Sequence, residues 1–136
     1  MGSRRKARVI AMQSLYSWDV GKLSREQLLE FEWVDNREGR EDTFAFARLM
    51  IAGALEHIED VDAAIQNHLE HWDISRLSKV DLAILRMGTY SVLFQHDVPA
   101  SVTIDEAVAI AKEYGTDDSY KFVNGVLDAI RRDSVK

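Results

Sequence analysis

Residues 77–95, LSKVDLAILRMGTYSVLFQ, form the most apolar stretch of the chain and decide its fold. At 3.6 residues per turn, apolar side chains such as Val80, Leu85 and Val92 fall on nearly every side of a helix. A helix that is apolar all round must be covered by other segments. We therefore predict a buried central helix, which ends before residues 96–99, HDVP.

The segments before this helix also show helical spacing of apolar residues. We predict a first helix over residues 4–20 and a short helix opened by the capping-box pattern that begins at Ser24 and also includes Phe31. Residues 35–40 are polar and include a glycine, which predicts a loop. Residues 41–70 continue the helical spacing for so long that we expect a bend near residues 59–60, which would make two helices.

The segments after the central helix predict two more helices. Thr103 and Glu106 have the spacing of a second capping box, whose helix would end at Gly115. Asp117 or Asp118 would cap the last helix, which runs to about residue 132. The chain contains one proline and no convincing stretch of alternating polarity. Its 136 residues therefore predict one all-α domain, a seven-helix globule with short connections.

The composition argues against several classes of protein. The chain has no cysteine, no apolar run of about 18 residues and no apolar N-terminal leader. These features predict a cytoplasmic protein without disulfides or membrane contact. No nucleophile elbow, phosphate-binding loop or dinucleotide motif is present. His68 and His71 lie three residues apart, but two imidazoles without a further ligand predict surface histidines rather than a metal site. We therefore expect no cofactor and no catalysis.

The distribution of charge is more informative than its total. The net charge is −6, but residues 4–8, RRKAR, carry four positive charges, which leaves −10 on the rest of the chain. Cations at the start of a helix oppose the helix dipole, so local stability does not explain them. The functional interpretation is contact of Arg4, Arg5, Lys6 and Arg8 with phosphate groups. The alternative is a solvated terminus.

The geometry of the first helix adds two residues to this basic arm, residues 4–8. At 100° per residue, Gln13 and Tyr16 lie on the same side as Arg5, together with Val9 and Met12. An amide and an aromatic ring beside cations suit single-stranded RNA, whose bases accept stacking and hydrogen bonds. Tyr16 fits a partly buried core position equally well.

Two further residues have both a structural and a functional interpretation. Arg86 lies within the apolar central helix, where a buried ion pair with an acidic neighbour is the favoured interpretation. Phe122 follows Lys121 near the start of the last helix. It is either a core residue or an exposed ring that stacks on a base.

Four segments in order resemble the NusB family. They are residues 4–18, which contain RRKAR and AMQSLYSW, then VDLAILR at 80–86, DVP and IDEAV between 97 and 108, and KFVNGVLD at 121–128. The resemblance implies an all-helical fold of two packed three-helix bundles. It also implies a non-catalytic antitermination factor that binds boxA-type RNA of ribosomal RNA operons together with the ribosomal protein NusE and promotes read-through by RNA polymerase.

The resemblance also implies roles for individual residues. It places Arg4, Arg5, Lys6 and Arg8 on the RNA, with Gln13, Tyr16, Asp118, Lys121 and Phe122 nearby, and Asp81 at the NusE contact. Asp81 stands where the family commonly has glutamate, and Tyr120 where it commonly has histidine. Some members pair as homodimers, which the sequence does not decide here.

Two alternatives stay open at this point. The first is the related RNA-binding domain of ribosomal RNA methyltransferases, which would require the chain to be a fragment because Lys136 ends it without a cofactor-binding fold. The second is a protein-binding helical adaptor whose basic arm is a solvated tail.

Overall fold

The computed structural model describes residues 3–30 and 41–134. Within those ranges the chain forms seven α-helices, a 3-10 turn and no strand, which confirms the all-α prediction. The predicted polar loop at 35–40 and Phe31 lie outside the described residues. The helices are α1 (Ser3–Gly21), α2 (Arg25–Glu30), α3 (Glu41–Glu56), α4 (Ile58–Asn67), α5 (Lys79–Phe94), α6 (Ala100–Tyr114) and α7 (Ser119–Ser134), with the 3-10 turn at Ile74–Arg76 before α5.

The helices pack as two groups of three. Helices α1, α2 and α3 pack on one another, and so do α5, α6 and α7. Helix α1 also packs along α5 and joins the two groups, while α4 lies against α5. None of the described helices is long and apolar enough to cross a membrane.

Helix α5 lies at the centre, as its all-round apolar sequence predicts. Residues 82–89 are all buried, and this run includes the charged Arg86. The Arg86 guanidinium donates from Nε and Nη2 to the two carboxylate oxygens of Asp62 on α4, each at 2.9 Å. Its Nη1 lies 3.4 Å from Asp19 Oδ2 on α1. The predicted buried ion pair is therefore confirmed, and it ties three helices together.

The two predicted capping boxes have opposite outcomes. The first is confirmed, because Gln27 N–H donates to Ser24 Oγ at 3.2 Å and Ser24 N–H donates to Gln27 Oε1 at 2.9 Å. The second is wrong, because α6 already begins at Ala100, directly after Pro99. Thr103 is buried inside that helix, and its hydroxyl shares a 2.9 Å hydrogen bond with the Ser91 hydroxyl of α5. Glu106 therefore does not cap the start of α6, and its carboxylate makes the contacts described below.

The bend between α3 and α4 lies at His57, two residues before the predicted position. The His57 ring stacks on Phe94 of α5 with their centroids 4.0 Å apart, and Phe94 in turn stacks on Tyr90. Gly53 of α3 lets Tyr90 approach closely, since a Cβ added there would lie 2.1 Å from the tyrosine hydroxyl. Tertiary stacking with α5 thus accompanies the bend, whereas the local sequence contains no helix breaker.

Candidate nucleic-acid interface

The basic arm begins a helix that is covered on most sides. Residues 7–12 of α1 are all buried, while Arg4 and Lys6 are exposed and Arg5 is half-buried. Val9 and Met12, which lie on the same predicted side of the helix as Arg5, are buried. The four cations of the arm therefore occupy different environments, and only two of them are exposed.

Arg5 is held by a carboxylate from the other helix group. Its Nε and Nη2 donate to the two oxygens of Glu106 on α6 at 2.9 and 2.5 Å. This paired hydrogen bond is the main reason that the pKa of Glu106 lies below its usual value and that of Arg5 above its own. Glu113, which lies seven residues after Glu106 on α6, also raises the pKa of Arg5 through its charge.

Arg8 lies behind this pair rather than at the surface. Only 5% of the residue is exposed, and its Nη1 lies 3.8 Å from Glu106 Oε1. Burial lowers the pKa of Arg8 from its usual value. The Arg8 guanidinium also lies over the Phe46 ring of α3 at 5.4 Å, and Arg4 lies over the same ring at 3.9 Å. The structure therefore brings Arg8 to the core side of the arm.

Helices α6 and α7 contribute a second group of cations with an aromatic ring between them. The ring of Tyr120 lies 5.0 Å from Lys112 Nζ and 5.8 Å from Lys121 Nζ. Lys121 and Asp118 are exposed, whereas Phe122 is half-buried and packs against the core. On α6, Lys112 immediately precedes Glu113, whose charge acts on Arg5.

Gln13 and Tyr16 extend the α1 surface away from the arm. Gln13 is half-buried and Tyr16 is 37% exposed, so the tyrosine is a surface residue. Tyr16 stands 11 positions after Arg5, which corresponds to roughly 16 Å along a helix at about 1.5 Å per residue. One nucleotide cannot contact both side chains.

Asp81 lies in the first turn of α5, near the far end of α1. Ser78 caps this helix, since its hydroxyl accepts a hydrogen bond from Asp81 N–H at 3.1 Å. The Asp81 side chain is half-buried, and its Oδ1 is shielded from solvent without a hydrogen-bond partner among the described residues. In the same turn, Lys79 Nζ lies 3.6 Å from Asp19 of α1. Asp81 therefore has unused acceptor capacity beside α1.

Two of the four histidines lie at the surface, as predicted, and the other two are half-buried. His71 and His96 are exposed, but His57 is half-buried in the stack with Phe94, and His68 is half-buried as well. His68 Nδ1 lies 2.8 Å from the Ala64 carbonyl and Nε2 lies 2.5 Å from Asp133 of α7. His57 therefore contacts α5, and His68 contacts α7. Across residues 3–30 and 41–134, no cluster of three or more candidate ligands could hold a metal ion.

Sequence reasoning missed three members of this surface, namely Glu106, Lys112 and Tyr120. Glu106 was assigned to a local cap, because its partner Arg5 is 101 positions away and no local pattern links the two. Lys112 and Tyr120 lie on different helices, and only packing of α6 on α7 brings them together. The local sequence contains no signal that distinguishes a Glu106 that caps its own helix from one that binds a distant arginine.

Comparisons with known proteins give a consistent result. The family model described as the NusB family matches residues 5–132. The transcription antitermination protein NusB of Treponema pallidum is 48% identical over 130 residues, which span 95% of this chain and 92% of that protein. A solved structure of T. maritima NusB is 40% identical and has a TM-score of 0.88, covering 98% of this chain and 93% of that one. The NusB chain in a crystal structure of the antitermination factors NusB and NusE with double-stranded RNA is 30% identical, with a TM-score of 0.82 and coverage of 96% and 97%.

Proposed function

Because the chain belongs to the NusB family, we propose that it is a transcription antitermination factor. In this function it binds boxA-type RNA of ribosomal RNA operons together with NusE and promotes read-through by RNA polymerase. The observation that carries the proposal is the concentration of cations in the basic arm and in the Lys112–Tyr120–Lys121 group on a chain of net charge −6. Related structures hold NusB with NusE and RNA, which supports the same partners here.

The exposed cations are the proposed phosphate contacts. Arg4, Lys6 and Lys121 project into solvent, and each contact with a single strand releases counterions. Phe122 and Tyr120 offer rings beside Lys121 on which bases could stack, and Asp118 lies exposed at the same end of α7. Gln13 and Tyr16 would extend the RNA path along α1. Arg8 would support the RNA-binding surface from the interior, through its contacts with Glu106 and Phe46.

Asp81 is the proposed contact for NusE. Asp81 is half-buried in the first turn of α5, so the residue stays partly accessible to a donor from another protein, although its Oδ1 is shielded. Exposed apolar residues of α1 flank Asp19, which contacts the same turn of α5, and they include Tyr16 and Val20. Asp81→Lys should therefore weaken NusE binding in a titration, whereas an unchanged affinity together with a lowered melting temperature would assign Asp81 to helix stability.

The remaining features follow from this function. We propose that residues 1–136 act as one helical domain, without catalysis and without a cofactor, in the cytoplasm where transcription takes place. The packing of α1 along α5, which joins the two helix groups, supports a single domain. Whether two copies pair is a separate question for sedimentation measurements.

The test is binding to boxA-type RNA with and without NusE across a range of salt concentrations. The double variant Arg4→Ala, Lys6→Ala should bind more weakly and with a flatter salt dependence, by about 0.7 in slope for each lost contact with a single strand. The matched control replaces Arg25 of α2 and Arg76 of the 3-10 turn, two exposed cations outside this surface. Absence of salt-dependent RNA binding by the unaltered protein would favour a protein-binding adaptor instead.

A further inference from the structure

The Glu106 carboxylate offsets the charge of Arg5 but leaves part of the Arg5 side chain exposed. The Arg5 side chain is 32% exposed, although its Nε and Nη2 donate to Glu106. Glu106 is itself backed by the buried Arg8, at 3.8 Å. The carboxylate therefore belongs to the body of the protein, and Arg5 is the outer member of the group.

The hydrogen bonds to Glu106 fix the direction in which Arg5 can bind a ligand. A guanidinium carries five N–H donors in one plane. Two of them point at Glu106 along the edge formed by Nε and Nη2. The other three, on Nη1 and Nη2, form the end of the fork, which can donate two parallel hydrogen bonds to a pair of acceptors.

The charge around Arg5 favours a neutral pair of acceptors. The Arg5–Glu106 pair has a net charge near zero, and the charge of Glu113 also acts on Arg5. Because Glu106 offsets the charge of Arg5, a phosphate at the end of the fork gains less attraction there than at the exposed cations of the arm. The O6 and N7 atoms of guanine are a neutral acceptor pair that matches the fork of an arginine. Arg4 and Lys6, which are exposed cations, suit phosphate better.

We propose that Arg5 reads the O6/N7 edge of an unstacked guanine in the bound RNA, and that Glu106 is the positioning residue that orients it. This inference rests on the proposed RNA-binding function. It divides the arm into one residue that recognises a base and two, Arg4 and Lys6, that bind the backbone. Single-stranded RNA exposes such base edges, whereas the narrow major groove of an RNA duplex does not.

The experiment measures binding of the full chain to a guanine-containing boxA-type RNA strand at several salt concentrations. Each guanine is replaced in turn by adenine or by 7-deazaguanine, which lacks the N7 acceptor. The unaltered protein should lose about ten-fold in affinity at one guanine position. Arg5→Ala removes the fork, so it should abolish this preference, and it should leave the salt slope unchanged because Arg5 does not bind phosphate. The control Lys6→Ala should lower the slope by about 0.7 and keep the preference.

Glu106→Gln tests the positioning role separately. It removes the negative charge, so Arg5 becomes available to phosphate, and the salt slope should steepen by about 0.7 while the guanine preference falls. If Arg5→Ala keeps the preference, or if replacing each guanine leaves the affinity of the unaltered protein unchanged, Arg5 does not read a base. If the unaltered protein does not bind the RNA at any salt concentration, that result would instead refute the proposed function itself.

Discussion

Replacing Gly53 by alanine places a methyl group where the Tyr90 side chain lies. The added Cβ would stand 2.1 Å from the tyrosine hydroxyl oxygen and 2.2 Å from ring atom Cζ, whereas ordinary contact begins near 3.4 Å. The ring would have to move by more than 1 Å, away from its stack on Phe94. Overpacking of this kind costs about 1–3 kcal/mol.

A second glycine provides a matched control. Gly125 lies within α7, and a Cβ added there would meet nothing within 4 Å. Alanine in a helix is favoured over glycine by about 0.5–1 kcal/mol. Gly125→Ala should therefore stabilise the protein by that amount. Gly53→Ala gains the same helix preference but also displaces Tyr90, so we expect a net loss of about 1–2 kcal/mol.

Thermal and urea denaturation of both variants measure the difference. At roughly 4 °C per kcal/mol for a chain of this size, Gly53→Ala should melt about 4–8 °C below the unaltered protein and Gly125→Ala about 2–4 °C above it. A double-mutant cycle with Tyr90→Ala should show strong coupling with Gly53→Ala, because removing the ring removes the clash. If Gly53→Ala raises the melting temperature as Gly125→Ala does, the close approach of α3 to Tyr90 is not present in solution.

Three other predictions concern charge and base stacking. Asp62→Ala should cost about 3–5 kcal/mol in chemical denaturation, because it removes the bidentate partner of the buried Arg86; a loss below 1 kcal/mol would show that water reaches this pair. Phe122→Ala should weaken RNA binding about ten-fold by loss of base stacking and keep most of the stability, whereas a loss of several kcal/mol with normal RNA affinity would make Phe122 a core residue. The pKa of Glu106 is lowered, so the Arg5–Glu106 pair stabilises the fold at pH values above the ordinary glutamate pKa of about 4.3. This stabilisation is lost as the pH falls through the lowered pKa of Glu106. The melting temperatures of the unaltered protein and Glu106→Gln should therefore converge at acid pH, and a gap that stays constant with pH would contradict this.

The parts of the fold that follow from local pattern were predictable. The all-round apolar character of residues 77–95 predicted a central helix, and the reciprocal cap of Ser24 with Gln27 needed only four consecutive residues. The start of α6 was not predictable in the same way. Thr103 has the residue type of a cap, but its hydroxyl bonds to Ser91 inside the core, and only the three-dimensional packing distinguishes the two roles.

The same distinction between local sequence pattern and three-dimensional packing applies to the candidate site. The cluster of cations in residues 4–8 is visible in the sequence, as is the aromatic residue beside Lys121. Their different environments are not visible, because Glu106, which binds Arg5 and lies near Arg8, and Phe46, which lies under Arg4 and Arg8, come from helices distant in the chain. A count of charges along the chain therefore overstates how many of them are available to a ligand.

The separation between Arg5 and Glu106 also orders events during synthesis of the protein. Glu106 is made 101 residues after Arg5, which takes roughly 5–20 s at a translation rate of about 5–20 residues per second. Throughout that interval the nascent chain carries Arg5 as an uncompensated cation beside Arg4 and Lys6. Those charges attract nucleic acid without regard to sequence, and the orientation of Arg5 that we propose for base selectivity forms only after α6 has been made.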